Sequence, residues 1–142
     1  MDKKAGVTGW EFVQVTWAFL NEVFDHAAPV MAQYGLHQKA LVLLALLDKG
    51  DSPQELAHLL RTPPSTLSHL LKELEDKELI HRSLGVSDKR KFHFVRTERG
   101  NTALREGREA INEAIALRLG NLTPEERSIV EQALPLIPRL LV

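Results

Sequence analysis

Between Ser52 and Arg96 the chain sets out two short helical stretches, a Pro-Pro turn and two short strands, an order that few folds accept. Ser52-Pro-Gln-Glu55 supplies a Ser to accept a helix-start N–H, Pro at the first helical position and Glu three after the cap, so a helix is expected through Leu60. Pro63-Pro64 interrupts it, and a second helix is expected from about Pro64 to Lys77. At about 100 degrees per residue, Leu67, Leu70, Leu71 and Leu74 gather on one side of this helix. Ser65, Ser68, His69, Lys72 and Asp76 lie opposite or on its flank. Leu79 to Arg82 and Phe92 to Arg96 read as strands, joined by the polar stretch Gly85 to Lys91. Two short helices and a tight turn followed by a hairpin make a winged helix-turn-helix, mainly α with a small β-hairpin wing. Its second helix can enter a major groove while the hairpin reaches a neighbouring backbone.

The flanks predict long helices. Thr8-Gly-Trp-Glu11 is a capping box. After it Trp10, Val13, Trp17, Leu20, Phe24, Ala27 and Met31 recur at alternating spacings of 3 and 4, the seam of a helix packed lengthwise on a partner. Phe12, Phe19 and Val23 form a second apolar face, so two covers are needed: the chain's own core and a second subunit. Pro29 is expected to kink or break this helix near Ala28. Leu36 to Leu47 reads as a buried helix, closed by a left-handed Gly50. Thr97 caps a further helix from Glu98 to about Leu119, and Thr123-Pro-Glu-Glu126 opens a last one, which Pro135 and Pro138 should kink or end. The expected organisation is one domain over residues 1–142. Its dimerisation helices are 8–34 and 98–142, with a winged region over 36–97.

The net charge of -1 argues weakly against a nucleic-acid partner, but its distribution is uneven. From His58 to Arg99 nine Lys/Arg face six acids and four of the six histidines occur, so the winged region is basic and the flanks acidic. Cysteine is absent, which excludes a disulfide framework and a thiolate metal site or redox sensor. No apolar run approaches the roughly 20 residues of a membrane span. The start is not that of a signal peptide, so a cytoplasmic protein is expected.

Two features carry the chemistry. Small polar side chains at the start of the second short helix allow close approach to base edges, and Ser, Thr, His and Lys can bond to bases or phosphates. That helix exposes no Arg, Asn or Gln, so sequence reading depends partly on DNA shape. Asp88-Lys-Arg-Lys91 places three cations at the hairpin tip, suited to phosphate contact or to insertion of Arg90 in a narrow minor groove, with Asp88 able to orient it.

Residues 51–104, with PQELAHLL, PSTLSHLLKELEDKELIHR, SDKRK and RTERG, resemble the multiple-antibiotic-resistance regulator (MarR) family of winged-helix repressors, and the flanking helices fit as well. The resemblance implies a homodimer formed by the terminal helices, bound to a pseudo-palindromic operator on double-stranded DNA. It also implies release, in many members, by a small and commonly aromatic ligand. It places Pro64, Ser65, Thr66, Ser68, His69 and Lys72 on the recognition helix and matches Asp88 and Arg90 to the wing's Asp-x-Arg, beside which Lys89 and Lys91 complete the basic wing tip. The dimer interface expected is Trp10, Val13, Trp17, Leu134, Ile137, Leu140 and Leu141, and Trp17, His26, Tyr34 and His37 are candidates for a ligand pocket. The chain departs from the family at Arg61-Thr62, where a Gly and an apolar residue are common, at Glu78, where Gly is frequent, and in its two tail prolines.

Competing readings have less behind them. No nucleophile elbow, phosphate-binding Gly loop or HExxH is present, so no catalytic residue and no cofactor are assigned. His58, His69, His81 and His93 lack the spacing of a metal site. A winged module that binds protein rather than DNA is the main alternative; Lys72, Lys89, Arg90 and Lys91, whose cations have an evident use on DNA, distinguish the two.

Overall fold

The computed structural model describes residues 6–50, 52–85 and 92–141. Helix α1 (Gly9–Ala32) is followed by α2 (Gln38–Leu46), α3 (Pro53–Leu60) and α4 (Pro64–Asp76). Strands β1 (Ile80–Leu84) and β2 (Phe92–Arg96) pair antiparallel with Ile80 opposite Arg96 and Leu84 opposite Phe92. Then come α5 (Glu98–Leu119), α6 (Pro124–Ala133) and a 3-10 helix (Leu134–Leu140). The fold is the winged helix-turn-helix that the sequence pattern anticipates.

Local caps start the helices. Thr8 Oγ1 accepts from Glu11 N (3.2 Å) while Thr8 N donates to Glu11 Oε2 (2.9 Å), and Thr123 with Glu126 repeats the arrangement. Ser52 Oγ accepts from Glu55 N, and Thr97 Oγ1 from Gly100 N. The core lies where α2, α3, α4 and the hairpin meet. Leu43, Leu44, Leu56, Leu67, Leu74 and Leu79 are its largest fully buried side chains. Helix α1 lies along α5, and Arg118 ties them by donating to the carbonyl (2.8 Å) and carboxylate (3.1 Å) of Glu22.

Several expectations need correction. Pro29 does not break α1, which runs on to Ala32. Pro29 and Asp25, whose carbonyl loses its helical donor, both lie on the exposed side where water can serve that carbonyl, while Ala27 and Met31 are buried on the other. Helix α2 starts at Gln38 rather than Leu36, because Leu36 is buried ahead of the helix and His37 is the N-cap. The left-handed glycine is Gly35 (φ 63°), not Gly50. Gly50 meets a packing demand instead: a Cβ there would lie 2.8 Å from Leu56 Cδ2. Strand β1 runs Ile80–Leu84, one residue later at its start and two residues longer at its end than the pattern suggests, and the Thr97 N to Leu79 carbonyl bond (3.0 Å) closes its ladder at the Ile80–Arg96 pair.

The α1 seam divides along its length. Ala27 and Met31 are buried and Phe24 packs on the core, but Trp10, Val13, Trp17 and Leu20 are exposed. On the second face Val23 is buried while Phe12 and Phe19 are exposed. All described residues from Thr123 to Leu141 are exposed, including Leu134, Leu136, Ile137, Leu140 and Leu141.

Candidate nucleic-acid interface

Helix α4 stands on its leucines. Leu67, Leu70, Leu71 and Leu74 are buried, and this anchors an opposite face on which Pro64, Ser65, Thr66, Ser68, His69 and Lys72 are all exposed. Ser68 Oγ donates to the Pro64 carbonyl (3.0 Å), leaving its lone pairs outward. Lys72 Nζ lies 3.2 Å from Asp76 Oδ2, an exposed i,i+4 pair of small energetic weight that a phosphate can readily displace. The first turn has Pro63 as its N-cap and no side-chain cap.

The C-terminal end of α4 is held from two directions. Lys77 Nζ donates to the Gly35 carbonyl and to Glu73 Oε1, and His37 Nε2 lies 3.6 Å from Glu73 Oε2. The Lys77 hydrogen bond holds the Glu73 carboxyl below its ordinary pKa. Toward the hairpin, Arg82 Nε donates to Glu75 Oε1 (3.1 Å) and its guanidinium carbon sits 5.6 Å from the centre of the Phe94 ring.

The base of the wing is clamped by Arg96, the last residue of β2 and the first of the RTERG stretch. Its guanidinium donates to the Leu44 carbonyl (2.6 Å), Asp48 Oδ1 (2.6 Å) and Asn101 Oδ1 (2.8 Å), joining β2 to the end of α2 and the start of α5. Thr97 Oγ1 donates to the Glu78 carbonyl (2.7 Å). Gly100 allows the backbones to touch: a Cβ there would lie 1.9 Å from the Leu79 carbonyl oxygen. The RTERG stretch was legible as a motif, but these contacts depend on what the fold brings opposite it. Asp88, Lys89, Arg90 and Lys91 lie outside the described residues.

The four candidate pocket residues are dispersed. Trp17 is exposed, and His26 Nε2 lies 3.9 Å from Glu113 Oε2. The Tyr34 hydroxyl donates to Glu106, which raises its pKa, and Arg99 lies over its ring at 5.3 Å. His37 instead faces Glu73 on α4. A hollow of about 340 Å³ between α1 and α5 is lined by Val30, Gln33, Glu106, Glu109, Ala110 and Glu113, none of them among the four. The expected interface residues Trp10, Val13, Trp17, Leu134, Ile137, Leu140 and Leu141 are exposed on the single chain, Trp10 to 69% and Leu140 to 68%. Among the described residues no three His, Asp or Glu converge as metal ligands, and no helix is long and apolar enough to cross a membrane.

A model of the MarR family matches residues 38–92. No curated protein matches the sequence. Among solved structures, RV1404 from Mycobacterium tuberculosis superposes with a TM-score of 0.81 at 20% identity, covering 99% of this chain and 95% of that one. A mutant of S. aureus MepR bound to an oligodeoxyribonucleotide gives 0.62 at 20% identity, over 94% of this chain and 96% of its own. CouR from Rhodococcus jostii bound to p-coumaroyl-CoA gives 0.69 at 21% identity, over 91% and 90%. At such identities the likeness speaks for the fold.

Proposed function

Since the chain carries a MarR-family winged domain at residues 38–92, we propose that it is a transcriptional regulator, not an enzyme, that binds double-stranded DNA as a homodimer. The observation that carries this reading is the exposed face of α4, small and polar at its start and basic at Lys72, set on a buried leucine face beside a paired hairpin. In this reading Pro64, Ser65, Thr66, Ser68, His69 and Lys72 meet the major groove, while Asp88, Lys89, Arg90 and Lys91 reach the adjoining backbone or minor groove. The exposed apolar surfaces of α1 and the tail, from Trp10 to Trp17 and from Leu134 to Leu141, pair two chains so that two recognition helices face a pseudo-palindromic operator. A cytoplasmic protein fits this use.

We further read the chain as a repressor released by a small ligand. CouR, a structural neighbour, is bound to p-coumaroyl-CoA, and another neighbour, S. aureus MepR, is bound to ethidium bromide. Helix α1 packs along α5, and the turn that follows it is tied to the end of α4 by the Gly35–Lys77 link, so a ligand that moved α1 against α5 would also move that link and with it the recognition helix.

The test is a titration of the purified protein against duplex DNA from its own upstream region, with excess competitor DNA at near-physiological salt. Saturable binding that survives competitor supports the reading. Arg90→Ala should then cost ~1–3 kcal/mol, and Lys72→Ala should weaken all sequences alike. Equal binding of every duplex, or none, would turn the reading toward a protein-binding module.

A further inference from the structure

The turn between α3 and α4 borders an open cavity of about 620 Å³ whose lining includes Gln54, His58, Arg61, Thr62, Pro63 and Pro64, with no acidic residue among its walls. Gln54 and His58 are one turn apart on α3 and both are exposed. Arg61 is exposed as well, and no ion pair or side-chain hydrogen bond joins its guanidinium to another described residue.

Two further features point to an anion. Arg61 adopts φ 51°, ψ 50°, a left-handed conformation that glycine takes without cost, so a cation stands where glycine would fold more easily. Thr62 is only 8% exposed, and its Oγ1 has no hydrogen-bond partner among the described residues. The same cavity abuts the start of α4, where Pro63 offers no side-chain cap and the N–H groups of Ser65 and Thr66 precede the first helical acceptors.

We propose that this cavity is a phosphate site for the DNA backbone, with Arg61 as its cation and Gln54 and His58 as flanking donors. It is additional to the recognition face and the wing, and it rests on the DNA-binding reading above. A phosphodiester fits better than a free anion because the cavity is open and lies at the start of the helix assigned to the groove, whose edges are lines of phosphates.

The experiment measures anisotropy of a labelled random-sequence duplex of about 30 base pairs against salt concentration, a regime in which phosphate contacts dominate. It compares the wild type with Arg61→Gly, which suits the left-handed backbone and so stays folded, and with Arg61→Lys. The expected result is a several-fold weaker affinity for Arg61→Gly, the same for any sequence. The salt slope should fall by about one unit per site, and Arg61→Lys should recover most of it. Wild-type affinity and slope in Arg61→Gly, while the wild type binds DNA, would overturn the phosphate site and leave the regulator reading standing. Inorganic phosphate that binds through Arg61 with no change in the DNA slope would likewise overturn the assignment to DNA. If the wild type binds no duplex at all, the regulator reading falls and takes the site with it.

Discussion

Gly100 shows how narrowly a single position can be determined here. A methyl group at this site would overlap the Leu79 carbonyl oxygen at 1.9 Å, and backbone cannot swing aside as a side chain can. Gly100→Ala should therefore destabilise the fold by ~2–3 kcal/mol despite its better helix propensity, as chemical denaturation would read. Glu78 is the reverse case. It sits at φ 58° on the approach to β1, and its exposed side chain makes no hydrogen bond or ion pair with another described residue. Glu78→Gly should raise stability by about 1 kcal/mol, the relief of left-handed strain less the added freedom of the unfolded chain; an unchanged denaturation midpoint would show that the strain is absorbed elsewhere. Glu73 makes a pH prediction. Its folded pKa lies below the unfolded one, chiefly through the Lys77 hydrogen bond, so its contribution is present in full above the unfolded value and lost as pH falls through the folded value. The stability difference between wild type and Glu73→Gln should be largest near neutrality and shrink in acid, measured as denaturation midpoints across that range.

At the scale of elements, four helix starts were legible because capping is local: Thr8, Ser52, Thr97 and Thr123 each accept a bond from the N–H three residues on, whereas α2, whose N-cap His37 makes no such bond, starts later than the pattern suggests. The leucine face of α4 was legible for the same reason, since its period is a property of the segment alone. What the sequence left open depends on neighbours. Whether Pro29 stops α1 turns on which side of the helix the orphaned carbonyl faces, and the need for Gly50 arises only once Leu56 is packed against it. The three bonds of Arg96 come from segments about fifty residues upstream and five downstream. Of the candidate site, the recognition face could be read from the pattern, whereas the Arg61 cavity could not, because two helices must cross before its walls exist.

For the whole molecule, α1 is two helices in one: its second half belongs to the chain's own core, and its first half presents Trp10, Phe12, Val13, Val15, Trp17 and Phe19 outward. So much apolar surface with the exposed tail is what a second copy would cover. Trp17→Glu should give monomers in sedimentation, and an intact dimer would remove this face from the interface. The same division of α1 has a spectroscopic consequence. Trp10 and Trp17 are the chain's two tryptophans, and both stand on the outward half, while the winged core contains neither. Indole emission from this protein therefore reports what covers α1 and is nearly blind to the packing of the leucines beneath the recognition helix. Dilution should shift that emission toward water-exposed indole while the far-UV circular dichroism of the chain stays constant, so association and core melting can be followed as separate signals in one unlabelled sample.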